Sequence, residues 1–84
     1  MLFAVIAVDN PGALGDAIAK IYAGEHFVLT QDQWLVVDTG TTKDVSDKLG
    51  ITDGANGGAL VISISGYFGR KGANVWEWMK AKTV

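Results

Sequence analysis

The chain has no cysteine, one histidine and one proline in 84 residues. Without cysteine there is no disulfide, no Cys-ligated zinc, no iron–sulfur cluster and no thiol nucleophile. The single histidine, His26, completes no Cys/His metal set. A basic excess is missing as well. Seven Lys and Arg stand against nine Asp and Glu, a net charge of -2 and a pI near 5.0, whereas a protein that lives on phosphate contacts usually carries positive charge. No stretch approaches the roughly eighteen apolar residues of a membrane-spanning helix. The apolar start, residues 1–8, is too short for a secretory signal and has no basic flank, so the expectation is a soluble, cytoplasmic protein. What the chain does have is apolar mass. Hydrophobic residues make up 49% and charged ones only 19%, which excludes disorder and supplies one dense core for a single domain over residues 1–84.

Leu2-Phe3-Ala4-Val5-Ile6-Ala7-Val8 is a continuous apolar run broken by Asp9-Asn10-Pro11-Gly12, which reads as a strand buried on both faces and ended by a turn. The period then changes. Leu14, Ala17, Ile18, Ile21 and Tyr22 form one stripe of an amphipathic helix, with Asn10 as N-cap, Pro11 at the first helical position and Gly24 past the end. His26-Phe27-Val28-Leu29 and Trp34-Leu35-Val36-Val37 follow as two strands joined by a polar hairpin turn. Thr41 or Thr42 caps a second, shorter helix in which Asp44 favours the N-terminal end, Val45 and Leu49 share a face, and Gly50 closes it. Residues 59–65 read as a fourth strand, with Leu60, Ile62 and Ile64 on one face and Val61 and Ser63 on the other. In the C-terminal segment Asn74 and Glu77 stand as a capping pair, and Val75, Trp78, Met79 and Lys82 form a helical seam. The alternation Trp76-Glu77-Trp78 also fits a strand, and the helix is the preferred reading.

The order β-α-β-β-α-β is the split pattern of a ferredoxin-like α+β two-layer sandwich, here with a short C-terminal helix or strand. In that topology the first and third strands are central, the positions their unbroken apolar runs suit. Two helices cover one side of such a sheet. An antiparallel sheet with a wet second side alternates apolar and polar residues, and these strands do not alternate. A patch of several hundred Å² on that side marks an interface. Either the C-terminal segment folds back, laying Trp76 or Trp78 on the sheet, or a second copy packs there in a two-fold dimer. One short helix shields a whole sheet poorly, so a homodimer is expected, with Trp34, Trp76 and Trp78 as candidate interface residues.

Asp9 is the carboxylate of most interest, placed after a central strand and beside a helix N-terminus. Ordinary turn and cap chemistry in Asp9-Asn10-Pro11-Gly12 is the plainer reading of it. In a dimer that joins the open faces, paired Asp9 side chains would share a divalent cation, Mg or Mn, through oxygen ligands, and such an ion activates water for phosphodiester hydrolysis. His26 reads as a structural residue at the start of its strand. Asp38, Asp44, Asp47 and Asp53 read as solvated or capping groups. Gly66-x-x-Gly69-x-x-Gly72 carries Arg70 and Lys71, the only adjacent basic pair and the candidate nucleic-acid contact. Tyr67, Phe68 and the Trp pair are candidate stacking surfaces. The plainer reading of that segment is a connector next to core aromatics.

On these residues the chain resembles the SinR-like family, which is grouped with the small CRISPR-associated ferredoxin-like endonucleases and VapD-type toxins. The resemblance runs through the strand ending in Asp9, His26-x-x-Leu29-x-x-x-x-Trp34-Leu35-Val36, the capped helix around Val45 and Leu49, the strand Leu60-Val61-Ile62-Ser63-Ile64-Ser65-Gly66, and Trp76-x-Trp78-Met79-Lys80. It implies a metal-linked aspartate at a dimer interface, a role that falls on Asp9. Two functions of different class follow as expectations. One is a nucleic-acid-related module, at its most active a Mg-dependent phosphodiesterase through Asp9. The other is a non-catalytic assembly or scaffold module that offers its sheet or aromatic tail to a protein partner.

Overall fold

A computed structural model of the chain describes residues 1–66 and 73–82. In chain order it contains β1 (Leu2–Ala7), α1 (Pro11–Ile21), β2 (His26–Thr30), β3 (Gln33–Val37), α2 (Thr42–Lys48), β4 (Ala59–Ile64) and α3 (Ala73–Lys82). The four strands form one antiparallel sheet in the order β2-β3-β1-β4. The two unbroken apolar runs therefore occupy the interior positions, where both faces of a strand are covered. Leu2 pairs with Val37 on one side and Ile64 on the other, and Val5 pairs with Trp34 and Val61.

Side chains alternate across the sheet, and the register sorts them into two cores. On one face Phe3, Val5, Trp34 and Val36 meet Leu14, Ile18 and Tyr22 of the α1 segment and Val45 and Leu49 of the α2 segment. On the other face Leu2 and Leu35 meet Val75 and Met79 of α3, with Phe27, Leu29, Val37 and Ile64 packed around them. The C-terminal segment is thus a helix rather than a strand. The seam expected for it is the seam that docks: Val75 and Met79 are buried, and the Trp78 ring lies 5.5 Å from the Phe27 ring. Lys82 closes the contact with an ion pair to Glu25 at 3.1 Å.

Local signals act as the residue types demand, with two exceptions. Pro11 opens α1, and Thr41 caps α2 in a reciprocal box: its hydroxyl accepts the Asp44 N–H at 3.2 Å, while its own N–H donates to the Asp44 carboxylate at 2.9 Å. Asn10 holds the N-cap position of α1, yet its side chain makes no capping bond because its backbone is left-handed, with φ at 45°. Asn74 lies inside α3, one residue past its start at Ala73, and so does not occupy the cap position.

Among the described residues, the second face of the sheet is only half covered. A ten-residue helix spans β2 and β3 and reaches Leu2 and Ile64, but it stops short of the other end of the β1–β4 pair. Leu60 and Ile62 remain 57% and 46% exposed there, beside the half-buried Ile6 and Ala4 that they face across the ladder.

Candidate functional site

Asp9 lies just past β1, exposed, at the entrance to α1. Its carboxylate Oδ1 accepts the Gly58 N–H at 2.8 Å, so it pins the loop before β4 to the end of β1. Gly57 sits beside it with φ at 87°, and any Cβ at that position would run into the Asp9 carboxylate. Among the described residues no three His, Asp or Glu side chains come together in a metal-holding group. A divalent cation needs several oxygen donors at about 2.0–2.6 Å. One carboxylate already engaged by a backbone amide does not fit that need, and no hydrolytic step is derived from it.

The other sequence-predicted residues separate widely. Trp34 is a core residue, with its ring against α1 so closely that a Cβ on Gly15 would come within 3.2 Å of it. Trp76 and Trp78 are half-buried along α3, Trp78 on Phe27. His26 is half-buried, with its Nδ1 2.8 Å from the Tyr22 carbonyl, an α1-to-β2 tie that fits its structural reading. Arg70 and Lys71, with Tyr67 and Phe68, lie outside the described residues.

The most perturbed carboxylate is Asp38, which the sequence pattern presents as solvated or capping. Its side chain is only 4% exposed. Oδ2 accepts the Lys48 ammonium at 2.7 Å and the Tyr22 hydroxyl at 2.7 Å, while Oδ1 accepts the Gly40 N–H at 2.8 Å. The Lys48 bond, with help from Gly40 and Tyr22, outweighs the opposing effect of burial and holds the carboxyl down at about 2. Burial, with the bond to Asp38, raises the Tyr22 phenol well above its ordinary value. Every partner is internal, so the network locks the ends of α1, β3 and α2 together and leaves no oxygen aimed at a ligand. Sequence reasoning missed it because Tyr22 and Lys48 lie sixteen and ten residues away. Its only local trace is the Asp38-Thr39-Gly40 turn.

Among the described residues, concavities lie on both faces of the sheet. A cleft of about 270 Å³ lies under α3, lined by Leu29, Leu35, Val75 and Met79 among others, slightly below the ~300–1,000 Å³ that houses small ligands. A shallower groove of about 240 Å³ runs between α2 and β4, bounded by Thr42, Lys43, Ser46, Ala59 and Val61.

That groove borders the outer edge of β4, which no other strand covers among the described residues. Sheet edges are normally blunted by charge, proline, bulges or a covering element. β2, the opposite edge, is irregular between Val28 and Thr30 and is braced by α3 and the Glu25–Lys82 pair. β4 has a regular ladder to β1, and residues 57–66 contain no charged residue and no proline. The Val8 N–H donates to the Gly58 carbonyl. In an antiparallel ladder bonded pairs recur every second residue, so Leu60, Ile62 and Ile64 bond inward to β1. The backbone N–H and C=O groups of Ala59, Val61 and Ser63 turn to the open edge. Among the described residues no strand pairs with them. The uncharged stretch was visible in the sequence; which of its faces stays bare depended on where α3 docks.

Comparison of the chain with protein-family models, with curated proteins and with solved structures gives no match. What is established is a small α+β fold: a four-stranded antiparallel sheet with three helices, none of them, among the described residues, long and apolar enough to cross a membrane.

Proposed function

We propose that this chain is a ferredoxin-like domain that serves as a non-catalytic protein-assembly module, working through the open edge of β4 and the apolar strip of Leu60, Ile62 and Ile6 beside it. The ferredoxin-like reading is supported by the two interior strands, β3 and β1, and by antiparallel pairing throughout. The assembly reading rests above all on one observation: an uncharged, unbulged edge strand carries two large, half-exposed aliphatic side chains on the face that α3 leaves bare. An edge of this kind supplies main-chain hydrogen bonds for affinity and alternate side chains for selectivity, the terms in which strand addition binds a protein partner.

The phosphodiesterase reading, with its Mg or Mn ion on paired Asp9 residues and its nucleic-acid contact at Arg70 and Lys71, has less behind it. Asp9 already has structural work as the anchor of Gly58. The test is made in native extracts. The chain should elute by size-exclusion chromatography in a species larger than its own 8.9 kDa, and Leu60→Lys with Ile62→Lys should return it to monomer size. Elution of the unaltered chain as a monomer in extracts, together with a monomer in the purified protein at about 1 mM, refutes the assembly reading. Mg-dependent cleavage of DNA or RNA that Asp9→Asn abolishes establishes the other.

A further inference from the structure

Resting on the assembly reading, we infer that the partner is a second copy of this chain: two β4 edges pair antiparallel across a two-fold axis at Val61, joining two sheets into one of eight strands.

The outward groups define the register. Ala59, Val61 and Ser63 carry the outward-facing N–H and C=O groups, which pair with no strand among the described residues. A two-fold through Val61 sets Val61 against Val61 of the second copy and Ala59 against Ser63, so every outward donor and acceptor finds a partner. The same register places Leu60 opposite Ile62 on the bare face, twice. These are the exposed large hydrophobic side chains of the strand, and aliphatic cross-strand pairs of this kind are the unit of sheet stabilisation. On the other face the groove between α2 and β4, bounded by Thr42, Lys43, Ser46, Ala59 and Val61, is where the second copy's Val61 and Ser63 side chains come to lie.

Charge singles out a second copy from other proteins. A self-paired strand sets each residue against one from its own sequence, so any charge in it would meet its like or leave a charge beside apolar side chains. Residues 57–66 hold none. An acidic chain of net charge -2 thereby keeps an uncharged strand at the seam, and the Lys43 ammonium that borders the groove is already paired with Asp47 at 2.8 Å. The size of the contact sets its strength. One strand pair with its flanking side chains falls below the ~1,200–2,000 Å² of a stable interface, so the dimer is a weak, concentration-dependent one.

This geometry also separates the two aspartates. With strands ~4.8 Å apart and a rise of ~3.3 Å per residue, two Asp9 positions in an edge-joined dimer stand roughly 30 Å apart. No single cation bridges them. An edge-paired dimer and a shared-metal dimer are therefore mutually exclusive.

Sedimentation equilibrium of the purified chain, from about 10 µM to about 1 mM to bracket a dissociation constant of about 100 µM, decides the matter. The chain should pass from monomer to dimer across this range. Leu60→Lys with Ile62→Lys should abolish the dimer, and Ser63→Pro, which removes an outward N–H that the chain's own ladder does not use, should weaken it at least tenfold. Val28→Lys, on the opposite edge, should leave it unchanged. Circular dichroism confirms that each variant is folded. A monomer at every concentration overturns the second-copy inference, as does a dimer that survives the double variant or is lost in Val28→Lys. If the purified chain is monomeric while native extracts hold it in a larger species, the assembly reading stands and only the identity of the partner is wrong.

Discussion

Replacing Asp38 by Asn removes one charge from the interior and keeps the shape of the side chain. Its carboxyl titrates at about 2 in the fold against an ordinary 3.8. At about 1.36 kcal/mol per pKa unit the ionised form contributes somewhat over 2 kcal/mol at neutral pH, and the half-exposed Lys48 ammonium trims this to about 2 kcal/mol. Asn retains a carbonyl for the Tyr22 hydroxyl or the Gly40 N–H, so the loss falls on the Lys48 bond. For a domain of this size about 2 kcal/mol lowers Tm by roughly 8–16 °C. The sign follows from the depressed folded-state value. The contribution is complete above the unfolded value, at about pH 5, and is lost as pH falls through 3.8 towards 2. Thermal melts of the two proteins should therefore differ most at pH 7 and converge towards pH 2. A Lys48→Met variant should lose less when Asp38→Asn is added than the unaltered chain does, because the two residues share one interaction. A Tm unchanged in Asp38→Asn at pH 7, or a deficit of equal size at pH 2, refutes the account of this network.

Three further substitutions probe the frame around the candidate sites. Gly57→Ala combines a positive φ with a clash against Asp9 and should cost about 1–3 kcal/mol, measured by urea denaturation. Gly12→Ala, in the first turn of α1 with open space at its Cβ, should be neutral or stabilising by up to about 1 kcal/mol. Met79→Ala empties a buried position under α3 and should cost about 2–5 kcal/mol. Hydrogen exchange should then show the amides of α3 opening before those of β1 and β3.

Much of the fold was legible because its strongest signals are local. The runs at Leu2–Ala7 and Trp34 to Val37 lack alternation, and they are the interior strands. The 3.6-residue stripe of Leu14 and Ile18 sits fully buried in α1, and Thr41 with Asp44 forms the expected capping box. The side-chain split of β4 also matches its alternation. What failed was non-local. Asp38 looks like a strand-end carboxylate until Tyr22, at the end of α1, and Lys48, of α2, are brought to it by two other elements. Trp34 has the composition of an interface anchor, but its position in the register turns it inward onto Gly15. The bare second face was foreseen as a whole sheet. Only the placement of α3 reduces it to Ile6, Leu60 and Ile62, and moves attention from the face to the edge.

The claim on which the functional account depends is that the outward backbone groups of β4 are available for pairing. Residue-resolved amide hydrogen exchange, compared between dilute and concentrated protein, reads it directly. Protection of the Val61 and Ser63 amides should rise with concentration, while the inward Leu60 and Ile62 amides, already bonded to β1, should change little. Equal and high protection of all four in dilute protein would contradict the account, because it would mean that the β4 edge is already closed within a single chain.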